Sequence, residues 1–198
     1  MDVWEAFASG YVLNQPDGSL VVNGVVIPPM LAMPPLARTK ELFMEMWNAY
    51  PTFRILQHDL LFNSKGEADP VNQCAIRFSD MLLNMRLAQF FESVFDGPTR
   101  NGYGLRASDM ADWANTVFGS FTTLHGPNIA DQLKDRIGIV FLRDFPGADQ
   151  GASKHRFNHI DLWNGFAYRL GSTPDSRYIN GPRNWFDNAA EVRFWEFK

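Results

Sequence analysis

The chain reads as an α+β domain in which helices lead and an antiparallel sheet follows. Three observations carry that prediction. Apolar residues recur at helical spacing through residues 40–50, 74–85 and 108–118. A continuous apolar run at 137–142 and an alternating run at 157–163 come only in the second half. A block of helices followed by strands, without alternation of the two, is the α+β arrangement.

Residues 1–38 form an N-terminal extension to a main domain at 39–198. Within it, Leu20-Val-Val22 and Val25-Val-Ile27 flank Asn23-Gly24, a hairpin signal because both turn positions need positive φ. Pro28-Pro29 and Pro34-Pro35 then stiffen a linker. About 40 residues are too few to bury a core of their own without disulfides or metal. The apolar stretch 25–36 is therefore expected to lie as a strap on the main domain. The other reading is a cover over a cleft of that domain.

In the main domain, residues 40–50 predict a helix that stops before Pro51, with Leu42, Met46 and Trp47 inward. Turn-forming residues 67–72, with Asn72 as N-cap, precede a helix opening near Cys74 and carrying Ile76, Phe78, Met81, Leu82 and Met85. Residues 97–104 read as a loop. A third helix spans 108–118 with Ser108 as its cap, burying Trp113, and a short fourth lies within 127–136. Residues 137–142 and 157–163 predict strands joined by a loop at 143–154, where Pro146, Gly147 and Gly151 fall.

These elements set the one cysteine of the chain, Cys74, in the first turn of a helix. Free backbone N–H groups and the positive end of the dipole favour an anion there. A thiol attacks as thiolate, and imidazole is the side chain suited to take its proton near neutral pH. His159 lies on a strand. His58 and His125 fall in loop-like sequence, and His155 at the ragged start of a strand. A cysteine at a helix start facing a histidine on a sheet strand is the layout of papain-like thiol hydrolases. The other reading of Cys74 is an ordinary buried thiol. Asp161 and Trp163 share the His159 face of the strand. Asp161 then orients the imidazole or is a structural or substrate-contacting carboxylate, and Trp163 walls the cleft. Arg77, one helical turn after Cys74, binds a substrate carboxylate or pairs with Asp80.

Composition narrows the remaining classes. A formal charge of −4 offers no basic footprint for phosphates, which argues against nucleic acid. One cysteine excludes an internal disulfide and a multi-cysteine zinc site. The chain opens without a charged-then-apolar leader, and its apolar runs fall short of a bilayer span, so no membrane insertion is expected.

The ordered blocks NQCAIR (72–77), YGLRASDMADW (103–113), GIVFLRDF (138–145) and HIDLWNG (159–165) resemble the family 4 amidase effectors of bacterial type VI secretion systems. Those proteins are similar to papain-like cell-wall endopeptidases of the NlpC superfamily. The likeness runs from about Leu42 to the C-terminus, where Phe194-Trp195 also fits. It implies Cys74 as nucleophile, His159 as base, and no cofactor or metal. It implies the γ-D-glutamyl to meso-diaminopimelate amide of peptidoglycan stem peptides as substrate, a cognate immunity protein as partner, and a secretion-system carrier as an alternative occupant of the 1–38 extension. It also explains the missing leader: such toxins are made in the cytoplasm, injected by the secretion machine and act in the target periplasm. Family members usually carry an acidic third residue a few positions beyond the Asn-Gly turn. That slot falls near 170–172 here and holds no acid, so Asp161, Ser172 and Asp175 are the alternatives. Other readings are a Cys-His deamidase or transglutaminase-like enzyme acting on proteins, and a catalytically silent binding relative.

Overall fold

The computed structural model describes residues 12–14, 20–22, 25–27, 35–51, 73–85, 87, 91, 95–97, 99–100, 102–146, 156–166, 169, 186 and 189–198. The extension contributes β1 (Val12–Asn14), β2 (Leu20–Val22) and β3 (Val25–Ile27), paired antiparallel in that order. Val22 faces Val25 directly, as the Asn-Gly signal requires, while β1 is a strand that the sequence reading does not assign. The Pro28-Pro29 part of the linker lies outside the described residues. From residue 35 the chain is docked: the Leu36 N–H donates to the Val117 carbonyl at 2.7 Å, and the Arg38 guanidinium to that of Ser120 at 3.0 Å. Pro35 packs on Gly119, where φ is 74° and a Cβ would sit 2.9 Å from the proline ring. Only glycine suits both conditions.

Helix α1 (Lys40–Ala49) starts at Thr39, whose hydroxyl accepts from the Leu42 N–H at 3.2 Å. It buries Leu42, Phe43 and Met46 and ends at Tyr50, ahead of Pro51. Helix α2 (Gln73–Leu83) turns Cys74, Phe78, Met81 and Leu82 inward at helical spacing. β4 (Thr99–Arg100) and β5 (Tyr103–Gly104) form a small hairpin where a loop was expected, turning at Gly102 with φ 83°. Helix α3 (Ala107–Phe118) buries Trp113 but begins two residues earlier than a cap at Ser108 requires. Arg106 occupies the cap position without a side-chain bond, and the Ser108 hydroxyl donates to Asp109 instead. α4 (Ile129–Gln132) is a single turn inside the expected 127–136 stretch.

Strands β6 (Thr122–Leu124), β7 (Ile137–Pro146), β8 (Arg156–Trp163) and β9 (Glu191–Phe197) form an antiparallel sheet in the order β6-β9-β7-β8. Its two faces are both apolar, which is why residues 137–142 read as an unbroken run. Ile139, Phe141, Ile160, Leu162, Trp195 and Phe197 pack with the helices α1 to α3. Val140, Leu142, Trp163, Val192 and Phe194 pack with Ile129 and Leu133 on the other side. Burying side chains of this size stabilises by about 1.5–3 kcal/mol each.

β7 runs four residues beyond the expected end at Leu142. The register shifts between Leu142 and Phe145, and Asp144 takes φ 51°. The Asp144 N–H is satisfied at 3.1 Å by the Asn158 side chain. That bulge lets pairing continue through Pro146 and ties the strand to the residue before His159.

Candidate active site

Cys74 is the second residue of α2, so its N–H is one of the orphan donors of the helix start. α2 packs across β8, and this brings the thiol to the strand that carries His159. Sγ lies 3.9 Å from the Asn158 carbonyl, and the Ile160 N–H also hydrogen-bonds it. On an antiparallel strand these two groups point the same way, opposite to those of His159. Among the described residues β8 pairs only with β7, so the sulfur sits on its outer edge. Farther along that edge, the Leu162 carbonyl accepts from the Arg169 N–H at 2.9 Å.

The imidazole of His159 hydrogen-bonds the thiol and also meets Asp161. His159 Nε2 is 3.4 Å from Asp161 Oδ2, an ion-pair distance that is long for a hydrogen bond. Asp161 is fully buried, and its Oδ1 accepts from the Leu162 N–H at 2.7 Å.

Burial pushes the Cys74 thiol up, but the bond to His159, the charge on the imidazole and the Ile160 N–H outweigh it. The net effect holds the thiol below its ordinary value. Burial favours neutral imidazole as well, and the bonds to Asp161 and Cys74 overcome this and raise His159 to about 9. The shifts run in opposite directions, the thiol toward thiolate and the imidazole toward imidazolium, and each group favours the charge on the other.

The remaining candidates occupy other places. Arg77 is 1% exposed and donates to the Pro51 carbonyl at 3.2 Å, within the core behind Cys74. Trp163 is buried in the second cluster, where Nε1 donates to the Leu133 carbonyl at 2.9 Å and the ring meets Phe186 edge-on. Neither opens onto solvent. His125 is exposed after β6, as loop sequence suggests, whereas His58, His155, Ser172 and Asp175 lie outside the described residues. Tyr50 is the member that sequence reading missed. It is 2% exposed in the cluster that holds Cys74, with Asp161, Cys74 and Arg77 around its hydroxyl. Only its place before Pro51, at the end of an amphipathic helix, hinted at a fixed position.

A cavity of about 380 Å³ lies elsewhere, lined by Asp96, Arg106, Asp109, Asp112 and Trp113, and holds no candidate nucleophile. Among the described residues no group of three histidine, cysteine or carboxylate side chains is placed to hold a metal ion, and no helix is long and apolar enough to cross a membrane.

The fold is similar to that of the type VI effector Tae4 from Enterobacter cloacae, with 18% identity, a TM-score of 0.50 and coverage of 84% of this chain and 100% of that one. The Tae4/Tai4 effector–immunity system of Salmonella typhimurium matches at 18% identity, TM-score 0.47, with 79% of this chain and 98% of that chain covered. No curated protein sequence matches. The model of the type VI secretion system amidase effector protein 4 family, Tae4, matches residues 71–195, from just before Cys74 to Trp195. The chain, with its thiol–imidazole pair inside that stretch, belongs to the Tae4 family of type VI secretion system amidase effectors.

Proposed function

We propose that this effector is a cysteine-dependent peptidoglycan amidase, a DL-endopeptidase that cuts the γ-D-glutamyl to meso-diaminopimelate bond of stem peptides. The observation that carries it is the Cys74 thiol at a helix start, hydrogen-bonded to His159 at the edge of β8. The Cys74 thiolate attacks the scissile carbonyl carbon, and the carbonyl oxygen takes the negative charge. The Cys74 N–H, which has no partner within its helix, is placed to hold that oxyanion. His159 gives its proton to the departing diaminopimelate amine as the C–N bond breaks. The γ-D-glutamyl group is left as a thioester on Cys74. Water then adds with His159 as base, and the thiolate leaves as the new carboxylate forms. Asp161 orients the imidazole throughout. No metal or cofactor enters the scheme.

Arg77 and Trp163 support the site from behind in this reading. Their main-chain bonds fix the start of the Tyr50–Pro51 turn and the end of β8. Residues 1–38 serve as a strap on the domain 39–198, in line with the docking of Pro35 to Arg38. The solved relatives include effector–immunity complexes, and a cognate immunity protein is the partner expected here. Action belongs in the periplasm of the target cell, after delivery by the type VI machine. The test is a defined γ-D-glutamyl–diaminopimelate stem peptide. Release of a free γ-carboxylate and the matching diaminopimelate amine supports the reading. An intact stem peptide, together with deamidation of a protein glutamine, would establish the deamidase instead.

A further inference from the structure

The C-terminal turn of α1 is clamped to the site by two arginines from different parts of the chain. Arg77, on α2, donates to the Pro51 carbonyl at 3.2 Å. Arg169, whose N–H binds the outer edge of β8 at Leu162, donates through Nε to the Trp47 carbonyl at 3.0 Å. Its guanidinium also lies 4.9 Å over the Trp47 ring. The Trp47 carbonyl, in the last turn of α1, lacks an intrahelical partner and Arg169 supplies one, while Arg77 holds the residue just past the helix end. The clamp holds Tyr50, the residue between Trp47 and Pro51 that points inward, against the interior.

The Tyr50 hydroxyl is buried, and among the described residues no acceptor meets strict hydrogen-bond geometry with it. Of the groups that act on it, the Asp161 carboxylate is the acceptor within reach of a looser contact. Burial and that negative charge keep the phenol protonated far above its ordinary range, so the hydroxyl is a donor at every working pH. Asp161 accepts from the Leu162 N–H through Oδ1 and presents Oδ2 to His159 Nε2 at 3.4 Å. Hydrogen bonds at catalytic groups are often loose before substrate binds and tighten afterwards.

We propose that Tyr50 is a positioning residue for the amidase reaction, its hydroxyl donating to Asp161 and fixing the carboxylate against His159. The proposal rests on the reading of Asp161 as the group that orients the imidazole. It assigns a role to an aromatic residue outside the Cys-His-Asp set, delivered by α1 and the two-arginine clamp. The hydroxyl acts through Asp161 and does not touch substrate.

Tyr50→Phe removes one oxygen and keeps the buried ring. The expected result is a kcat about tenfold lower, the scale for losing a hydrogen bond to a charged group. KM stays within about twofold. The alkaline limb of the pH–rate profile moves to lower pH, because a carboxylate less firmly held against His159 supports the imidazolium less. In an Asp161→Asn background the same change costs nothing further in kcat. An unchanged kcat and pH profile for Tyr50→Phe, beside an impaired Asp161→Asn, overturns the proposal and leaves Asp161 standing. So does a Tyr50→Phe loss that persists in full in the double variant. A fully active Asp161→Asn overturns the orienting role of Asp161 and the proposal with it. Should Tyr50→Phe melt below the assay temperature, NMR of the wild-type protein with labelled tyrosine rings decides. A slowly exchanging hydroxyl proton on Tyr50, lost in Asp161→Asn, supports the bond, and its absence in wild type overturns it.

Discussion

Replacing Asp161 by Asn removes a buried negative charge while leaving an oxygen for the Leu162 N–H. Its effect can be worked from the titration of His159. Burial alone would lower the imidazole, yet Asp161 and Cys74 raise it from 6.5 to about 9. That rise of about 2.5 units corresponds to roughly 3 kcal/mol in favour of the imidazolium, at about 1.4 kcal/mol per unit. Loss of an adjacent opposite charge shifts a pKa by about one to three units. The alkaline limb of kcat/KM should therefore fall from about 9 to somewhere near 6–8 in Asp161→Asn. With a limb near 7, only about a tenth of the pairs carry the proton at pH 8, against roughly nine-tenths in the wild type. Turnover at that pH drops about tenfold from protonation alone, and further if the ring loses its orientation. The assay is stem-peptide cleavage from pH 5 to 10, with iodoacetamide labelling of Cys74 in parallel. An alkaline limb still at about 9 in the variant would refute the reasoning.

Three further outcomes are expected. His159→Ala should move the labelling midpoint of Cys74 upward, to or past the free thiol value of about 8.5, since the burial that opposes ionisation remains; an unmoved midpoint would mean the two groups do not interact. The melting temperature of the wild-type protein should vary little between about pH 7 and 9, because the stability that the raised His159 loses as pH climbs toward its folded value is offset by what the lowered Cys74 gains as the unfolded thiol ionises near about 8.5; a steep fall across that range would contradict the opposed shifts. Gly138→Ala would place a Cβ 2.2 Å from the Trp195 carbonyl oxygen in the middle of the sheet. It should cost about 3 kcal/mol, the upper end for overpacking, or roughly 6–12 °C in Tm; an unchanged melt would show that the sheet yields there.

Period and punctuation made much of this fold legible before any coordinates. The α1 helix stops at Pro51, and α2 carries Cys74 in its first turn, because both signals are local. His159 was placed on a strand by simple alternation. The strand limits were harder. β7 passes Leu142 only because Asp144 adopts a left-handed conformation and Asn158, fourteen residues away in sequence, supplies its acceptor. β9 mixes charged and apolar residues and gains its identity from pairing with β7, across more than forty intervening residues. The cap at Ser108 failed because the helix starts upstream, with Arg106 at the cap position and Ser108 already inside the first turn. In the site, Cys74 and His159 stood out by their chemistry. Tyr50 did not, because nothing local to residues 47–51 reveals the carboxylate within reach of its hydroxyl.

The central claim is that Cys74 performs amide hydrolysis on the cell wall. It is tested most directly by digesting purified sacculi with the wild-type protein and with Cys74→Ala, and reading the soluble fragments by mass spectrometry. The account predicts fragments cut between D-glutamate and diaminopimelate with the wild type, and release at least about 10³-fold lower with the variant at an unchanged melting temperature. Equal release by both proteins would contradict it.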